Sequence, residues 1–412
     1  MISHYHRIFE CPLDPAEQGP EFELVLTCCR PKPSEAHFLR QQELAAVGLD
    51  TAKVLELGIR HKISPLLHCN LRCHPVGTFS AELLDKLAEQ HKRNRYRALQ
   101  ALQATHELLR AGQGLRLIVM KGLDVAARAY GDLAVRHVGD IDILVDPEQL
   151  GEAITILKAQ GWSLDQPEIF SALNRKILLR SHHDWTLIRK RFPHMELHWR
   201  AMHSPFEFPI DDWRSSTLSK KSNLGILGLN NEDLLIYLCL HGAKHKWGRL
   251  KWLFDLPNLL DTHDLDWSQL WQRADQLGAG LAVQQGLLMA QQYCGLDLSP
   301  AIKSGFGFSI SPSSWRAICT FQQDPDLWME QQTHTDAWVN HILGTRKINI
   351  LLWYFATIFY PNASDYRLLK LPSWLHMLYF PLRPILWSIR QVQIRQACKL
   401  KTMGARPIVP ER

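Results

Sequence analysis

Asp140 and Asp142 stand one residue apart in RHVGDIDILVD, inside a run of Ile, Leu and Val that otherwise reads as a buried strand. Side chains alternate faces along a strand, so both carboxylates project to one side while Ile141, Ile143 and Val145 pack to the other. Two carboxylates this close repel unless water, protons or a cation compensates them. Mg²⁺ suits the pattern, because it is typically held by one or two carboxylates together with substrate phosphates. A third acid comes from HMELHWR, where Glu196 and His198 share a face opposite Met195, Leu197 and Trp199. Three carboxylates on two strands can hold two ions, Mg²⁺ by expectation and Mn²⁺ as the substitute. One would activate an attacking oxygen, and the other would steady a triphosphate and its leaving pyrophosphate, in line across phosphorus. The plain alternative is a strand end at the surface, where acids are simply solvated. An EF-hand is excluded, since such a loop needs polar ligands where this chain has Ile143, Leu144 and Val145.

A triphosphate needs a cradle, and VMKGLDVAARAY has the pattern for one: a strand, then Lys121-Gly122, then a helix whose free N–H groups face an anion. Lys121 adds a mobile positive charge, and Arg136, four residues before Asp140, is placed to reach the same anion. His241 and His245 lie four apart on a helix. They either contact substrate phosphates or the base alongside Lys244, Lys246 and Arg249, or serve as caps and surface charge at a helix C-terminus.

These residues need elements to hold them. Apolar positions at three- and four-residue spacing predict helices from about residue 35 to 110, with Ser80 as a cap and a turn at PVGT. The texture then changes: LRLIVM and DIDILV read as strands, residues 147–160 as a helix, and DWTLIRK and HMELHW as strands joined by RFP. Helical periodicity returns in NEDLLIYLCLHGAKH, LKWLFDLPNLLD and WSQLWQRADQLGAGLAVQQGLLMAQQYCG. Residues 309–314 read as a linker.

The order Lys-Gly, helix, AYGDLAVRHVGDIDILV, MELHW and LCLHGAKHKWGRLKWLFDL resembles the poorly characterised bacterial nucleotidyltransferase family of the DNA polymerase β-like superfamily, over roughly residues 40 to 265. The resemblance implies an α+β protein, in which a small mixed-sheet polymerase β-like core is flanked by N-terminal and C-terminal helical regions. It divides the chain into a helical region 1–110, the core 111–225, a helical substrate side 226–310 and a basic, Trp- and Pro-rich helical region 311–412. It further implies metal-dependent transfer of a nucleoside monophosphate from an NTP to an unidentified acceptor, whether small molecule, peptide, glycan or protein. Asp140, Asp142 and Glu196 would be the metal-binding acids, with Glu196 completing one ion site or acting as base. Lys121 and the Gly122 amide would steady the triphosphate, with Arg136 in support. The wider superfamily commonly has Gly-Ser where this chain has Gly122-Leu123, so backbone amides and Lys121 must replace a hydroxyl contact. Two other classes use the same acids: a phosphotransferase passing a sugar- or glycerol-phosphate to a peptide or glycan, and a non-catalytic nucleotide- or partner-binding member of a toxin–antitoxin or biosynthetic assembly. No Walker loop, dinucleotide fingerprint or zincin motif competes.

Other residues carry weaker signals. Asp255 reads as an ion-pair partner, and His198 either orients Glu196's metal or binds substrate, or is a hydrogen-bonded, half-buried imidazole. His182, His183 and Asp184 begin a strand, and alternation splits them between faces, which argues against a catalytic cluster. HCNLRCH has C-x3-C spacing with no second Cys/His pair nearby, so buried thiols are the expectation.

At 412 residues the chain exceeds one ordinary core, and 46% hydrophobic with 21% charged residues places it among folded proteins. Nine scattered cysteines and a start without an apolar signal core predict a reducing, cytoplasmic setting. No run approaches the roughly 20 apolar residues of a spanning helix, the nearest being INILLWYFATIFY. The net charge is +6, yet from His341 onward 11 Lys/Arg face two acids, so the basic character belongs to the tail. Its interleaved Trp, Tyr, Arg and Lys would dock on the protein's own helices, with peripheral membrane contact as the next reading and nucleic acid less favoured. Pro372, Pro381 and Pro384 are expected to break any long helix there.

Overall fold

A computed structural model describes residues 19–172, 175, 178–179, 182–201, 224–245, 247–307 and 358–402. Among the described residues five helices lead in: α1 (Pro20–Thr27), α2 (Glu35–Ala46), α3 (Thr51–Arg60), α4 (Ser64–Leu71) and α5 (Ala81–Ala111). Their starts follow side-chain chemistry. Ser34 accepts the His37 N–H, Asp50 those of Ala52 and Lys53, and Ser80 that of Leu83, satisfying donors that a first turn otherwise leaves free.

The strands are β1 (Leu117–Val119), β2 (Ile141–Val145), β3 (Ser163–Leu164), β4 (Asp184–Ile188) and β5 (Met195–His198). They form one mixed sheet in the order β1-β2-β5-β4-β3, in which β2 and β5 run parallel and the other pairs antiparallel. Helix α6 (Leu123–Tyr130) follows β1 and α7 (Leu150–Ala159) follows β2. Beyond the sheet come α8 (Asn231–Lys244), α9 (Leu250–Thr262), α10 (Trp267–Gln276) and α11 (Gly280–Cys294). The chain is thus a mixed α/β protein.

Alternation along the strands gives the sheet two unlike faces. Leu117, Val119, Ile141, Ile143, Val145, Met195 and Leu197 join Ala98, Ala101 and Ala104 of α5 and Ala153 and Leu157 of α7 in one core. Ile118, Met120 and Leu144 join the larger core of α1, α3, α8, α9 and α11. On that second face the apolar character stops at Asp142, Glu196 and His198, and there the helices stand off the sheet.

Two features set the far wall. Trp247, fully buried at φ 54°, lies against α8 at Gly242, where a Cβ would overlap the indole ring. Only glycine lets α8 close on that ring, and the contact fixes the end of α8. Opposite, α3 ends at His61, whose Nδ1 accepts the Leu250 N–H at 3.3 Å, joining the lead-in to the start of α9. Burial, reinforced by Arg60 and Arg249, pushes His61 down to about 3, so the folded protein keeps this imidazole neutral. An unfolded histidine protonates near pH 6.5, so this stabilising contribution is complete above that pH and is lost as pH falls from 6.5 toward 3. We expect His61→Gln to remove about 2 kcal/mol of the stability difference between pH 7 and pH 5, read from urea unfolding at both pH values. An unchanged pH sensitivity in the variant would show that His61 carries none of it.

The C-terminal part bears on two expectations. The helix Ala363–Leu368 touches Pro167–Ala172, and buried Asp365 takes Arg383 at 2.8 Å and Arg390 at 3.2 Å, so this segment docks on the protein itself. Helix α12 (Tyr379–Thr402) contradicts the reading of its prolines as breakers, since it runs through Pro384. Pro381 falls in the first turn, where an N–H has no helical partner to lose, and only Pro384 costs a bond. Trp374, Met377 and Ile385 remain exposed. The expected linker at 309–314 and the apolar run up to residue 357 lie outside the described residues. Among those described, no helix is long and apolar enough to cross a membrane.

Candidate active site

The parallel pairing of β2 and β5 sets Asp142 directly beside Glu196, and Leu144 beside His198. On the other side of β5, Asp184 of β4 is in register with His198. These registers place Asp142, Glu196, His198 and Asp184 on one face. The β1–β2 ladder extends to Met120, whose N–H bonds the Asp142 carbonyl at 3.2 Å, so the chain delivers Lys121 at the acids. Lys121 Nζ lies 3.0 Å from Asp142 Oδ1. His198 Nε2 lies 3.3 Å from the same oxygen and 3.5 Å from Glu196 Oε2.

Gly122 then turns the chain at φ 65° and ψ −104°, a conformation open to glycine, and α6 starts at the next residue. A Cβ here would also press on the Asp140 carbonyl at 3.4 Å. Asp140 sits immediately before β2 rather than within it, and faces the same cavity as Lys121, Gly122 and Glu196.

The charges explain one another. Burial would raise Asp142, which is 1% exposed, yet Lys121 and His198 hold its carboxyl well below the usual carboxylate range. Burial would lower Lys121, yet Asp142, Tyr237, Asp140 and Glu196 push it up, and it stays charged. His198 is likewise carried up to about 9, against burial, by hydrogen bonds to Asp142 and Glu196 and by the charges of Asp142 and Asp184. Glu196 is raised by burial and by Asp142 and Asp140, with His198 opposing. An ammonium and an imidazolium thus balance the buried acid.

One oxygen is left over. Asp142 Oδ2 is buried with no hydrogen-bond partner, and Asp142, Glu196 and His198 offer ligand atoms within 4.8 Å of one another. Buried polar atoms are nearly always paired, so an orphaned carboxylate oxygen beside a second carboxylate fits a divalent cation.

Asp140, Asp184 and Glu196 line the floor of a cavity of about 980 Å³, while Asp142, in register with Glu196, is buried and not part of its lining. Its walls carry Lys244, Arg249 and Lys251 as well as His241 and His245, and α3 closes it with Ala52, Leu55 and Ile59. His241 and His245 stand 4.6 Å apart, and His245 stacks on Trp252 at 4.8 Å. His245 also ends α8, so the lining and capping roles coincide. Burial and neighbouring cations push His245 down to about 3, and burial, then Arg136, pushes Lys251 down to about 7. The wall is thus basic, and partly discharged by its own crowding. A second hollow of about 440 Å³ shares Ile59 and Lys62 with the first and adds Arg93, Arg97 and His137.

Arg136 departs from its expected role. Its guanidinium donates to Asp255 through Nε to Oδ1 and Nη2 to Oδ2, both at 2.7 Å, with both side chains buried. The Tyr130 hydroxyl adds a bond to Asp255 at 3.0 Å. Arg136 is therefore held to α9, while Nη1 also bonds the Gly122 carbonyl at 3.4 Å and the side chain lines the cavity. Asp255, read as an ion-pair partner, is one.

Several lining residues carried little or no signal in the sequence. Asp184 lies in register with His198, His183 Nε2 is 3.4 Å from Lys244 Nζ, and His183, Asp184 and His198 form a second set of ligand atoms within 4.8 Å. His182 turns away to Trp185, at 5.4 Å between ring centres. Lys251 and Tyr237 also line the cavity. The signal for Asp184 was its place at the start of a strand antiparallel to MELH; for Lys251, half-buried within LKWLF, there was none.

A family model described as uncharacterised nucleotidyltransferase matches residues 48–295. No curated protein and no solved structure matches the chain.

Proposed function

Since the chain belongs to the uncharacterised nucleotidyltransferase family, and is a transferase of nucleotidyl groups, we propose that its sheet is a polymerase β-like core and that it passes a nucleoside monophosphate from an NTP to an acceptor in a Mg²⁺-dependent reaction. The observation that carries the reading is the registered Asp142–Glu196 pair, with Asp142 Oδ2 buried and unpartnered and Glu196 opening onto a cation-walled cavity.

Asp142 and Glu196 would hold the Mg²⁺, with Asp140 at the cavity wall completing a second position. The ion, when bound, supplies charge neutralisation at the phosphates and lowers the pKa of a coordinated hydroxyl. His198 Nε2 orients Asp142 and Glu196 by bonding both. Glu196, raised by burial and by its acidic neighbours, is suited to take the acceptor's proton. Lys121 and the amides that open α6 face the triphosphate, taking the place of the absent loop hydroxyl. Lys244, Arg249 and Lys251 would receive the remaining phosphate charge, and the Trp252–His245 stack offers a flat surface for a base.

Calorimetry with each of the four NTPs, with and without Mg²⁺, tests this on the full chain. At least one NTP should bind in Mg²⁺, and the heat should vanish in chelator. Absence of metal-dependent binding for all four would reject the reading. With a binding nucleotide in hand, α-labelled NTP and cell extract would then reveal the species that takes up label.

A further inference from the structure

Helices α4 and α5 pack side by side, and their contact brings together residues that the sequence keeps apart. His68 and Cys69 are neighbours on α4, and His91 faces them from α5. One ring nitrogen of each histidine and the Cys69 Sγ lie within 4.8 Å of one another. The two rings are 5.0 Å apart between centres. His68 Nδ1 and His91 Nε2 are both buried, and neither has a hydrogen-bond partner. Two orphaned imidazole nitrogens beside a thiol, in one small space, need an explanation that protein partners do not supply.

We infer that His68, Cys69 and His91 bind a Zn²⁺ ion, a site separate from the acids of the sheet. Two imidazoles and a thiolate are the ligands zinc prefers, whereas Mg²⁺ and Ca²⁺ take oxygen. Two rings held about 2.0–2.1 Å from one tetrahedral ion have centres on the order of 5 Å apart, which is the spacing seen. The fourth position falls to water, and the charge of Asp132 acts on both Cys69 and His91. Arg72 adds an opposing charge nearby, which the thiolate and Asp132 offset.

The site has a structural consequence. Asn94, three residues past His91 on α5, donates to the carbonyls of Ala134 and Arg136 at 2.7 and 2.9 Å and accepts the Val138 N–H at 2.9 Å. A zinc tie between α4 and α5 therefore braces the helix that holds the chain entering Asp140.

Cobalt substitution tests the site in the full-length chain, kept reduced. A thiolate-to-cobalt charge-transfer band reports a cysteine ligand, which the acids of the sheet lack. The wild type and Asp142→Asn should both show it, with Zn²⁺ displacing it. Cys69→Ser should lose it, and His91→Ala should bind cobalt about 100-fold more weakly or worse. No band in the wild type, a band that survives Cys69→Ser, or an unchanged affinity in a folded His91→Ala would each overturn the inference.

Discussion

Asp142→Asn should weaken Mg²⁺-dependent NTP binding by about 100-fold or more, and should also cost the fold on the order of 3 kcal/mol. The two losses have one origin. The substituted amide keeps the shape but not the charge, so no anion with an unpartnered oxygen is left for a cation to meet. At the same time Lys121, 3.0 Å away, keeps its charge at a buried point without its nearest counter-ion, and His198, 3.3 Å away, loses a main support of its proton. Removing one partner of a buried ion pair is expensive because the other stays behind. A second change separates the two effects: Lys121→Met combined with Asp142→Asn should recover much of the stability and none of the binding. Urea unfolding in chelator reads the first quantity and calorimetry the second. A folded Asp142→Asn protein that binds MgNTP as tightly as wild type would exclude Asp142 as a ligand.

The pair on the opposite side of Gly122 behaves differently. Arg136→Ala and Asp255→Ala should each destabilise the protein by about 3–5 kcal/mol, while the double variant should cost less than the sum by more than about 1 kcal/mol. Both side chains are almost fully buried and share two bonds of 2.7 Å, so each is the other's main compensation for lost solvent. If the guanidinium instead served the triphosphate, as the sequence alone led us to expect, Arg136→Ala would reduce NTP affinity and leave stability nearly intact. Unfolding curves and calorimetry on the same three proteins decide between them, and a stability loss under about 1 kcal/mol would end the bracing role.

What was legible in the sequence depended on distance along the chain. Asp142, Glu196 and Lys121 could be placed because strand alternation and a Lys-Gly turn are local rules, needing only a few residues each. Asp140 was placed on the right side, but the strand begins one residue after it. The ion-pair partner of Arg136 was not legible, because it is 119 residues away, brought in by the packing of α6 on α9, which no local period announces. Asp184 was set aside on a sound alternation argument that lacked the register of β4 against β5, the one fact that puts it beside His198. Lys251 illustrates the limit: a lysine near a helix start is ordinarily solvated, and only the tertiary fold makes it a half-buried part of the cavity wall. The fold class followed the same rule, with the long helices plain from their period and the two-residue strand β3 unannounced.

The sheet also divides what can drift from what cannot. One side of it is a dry core that holds the acid-bearing strands in register, and substitutions there change the geometry of the chemistry itself. On the other side α3, α8 and α9 wall the cavity; they share a core with Ile118, Met120 and Leu144 of the sheet and are tied to the chain flanking the strands by Arg136–Asp255 and Lys244–His183. Descendants of such a chain can therefore reshape the cavity wall by remodelling the outer helices, inheriting the acid-bearing strands unaltered. A lineage with a constant floor and a changing wall would show great diversity of partners under a single reaction.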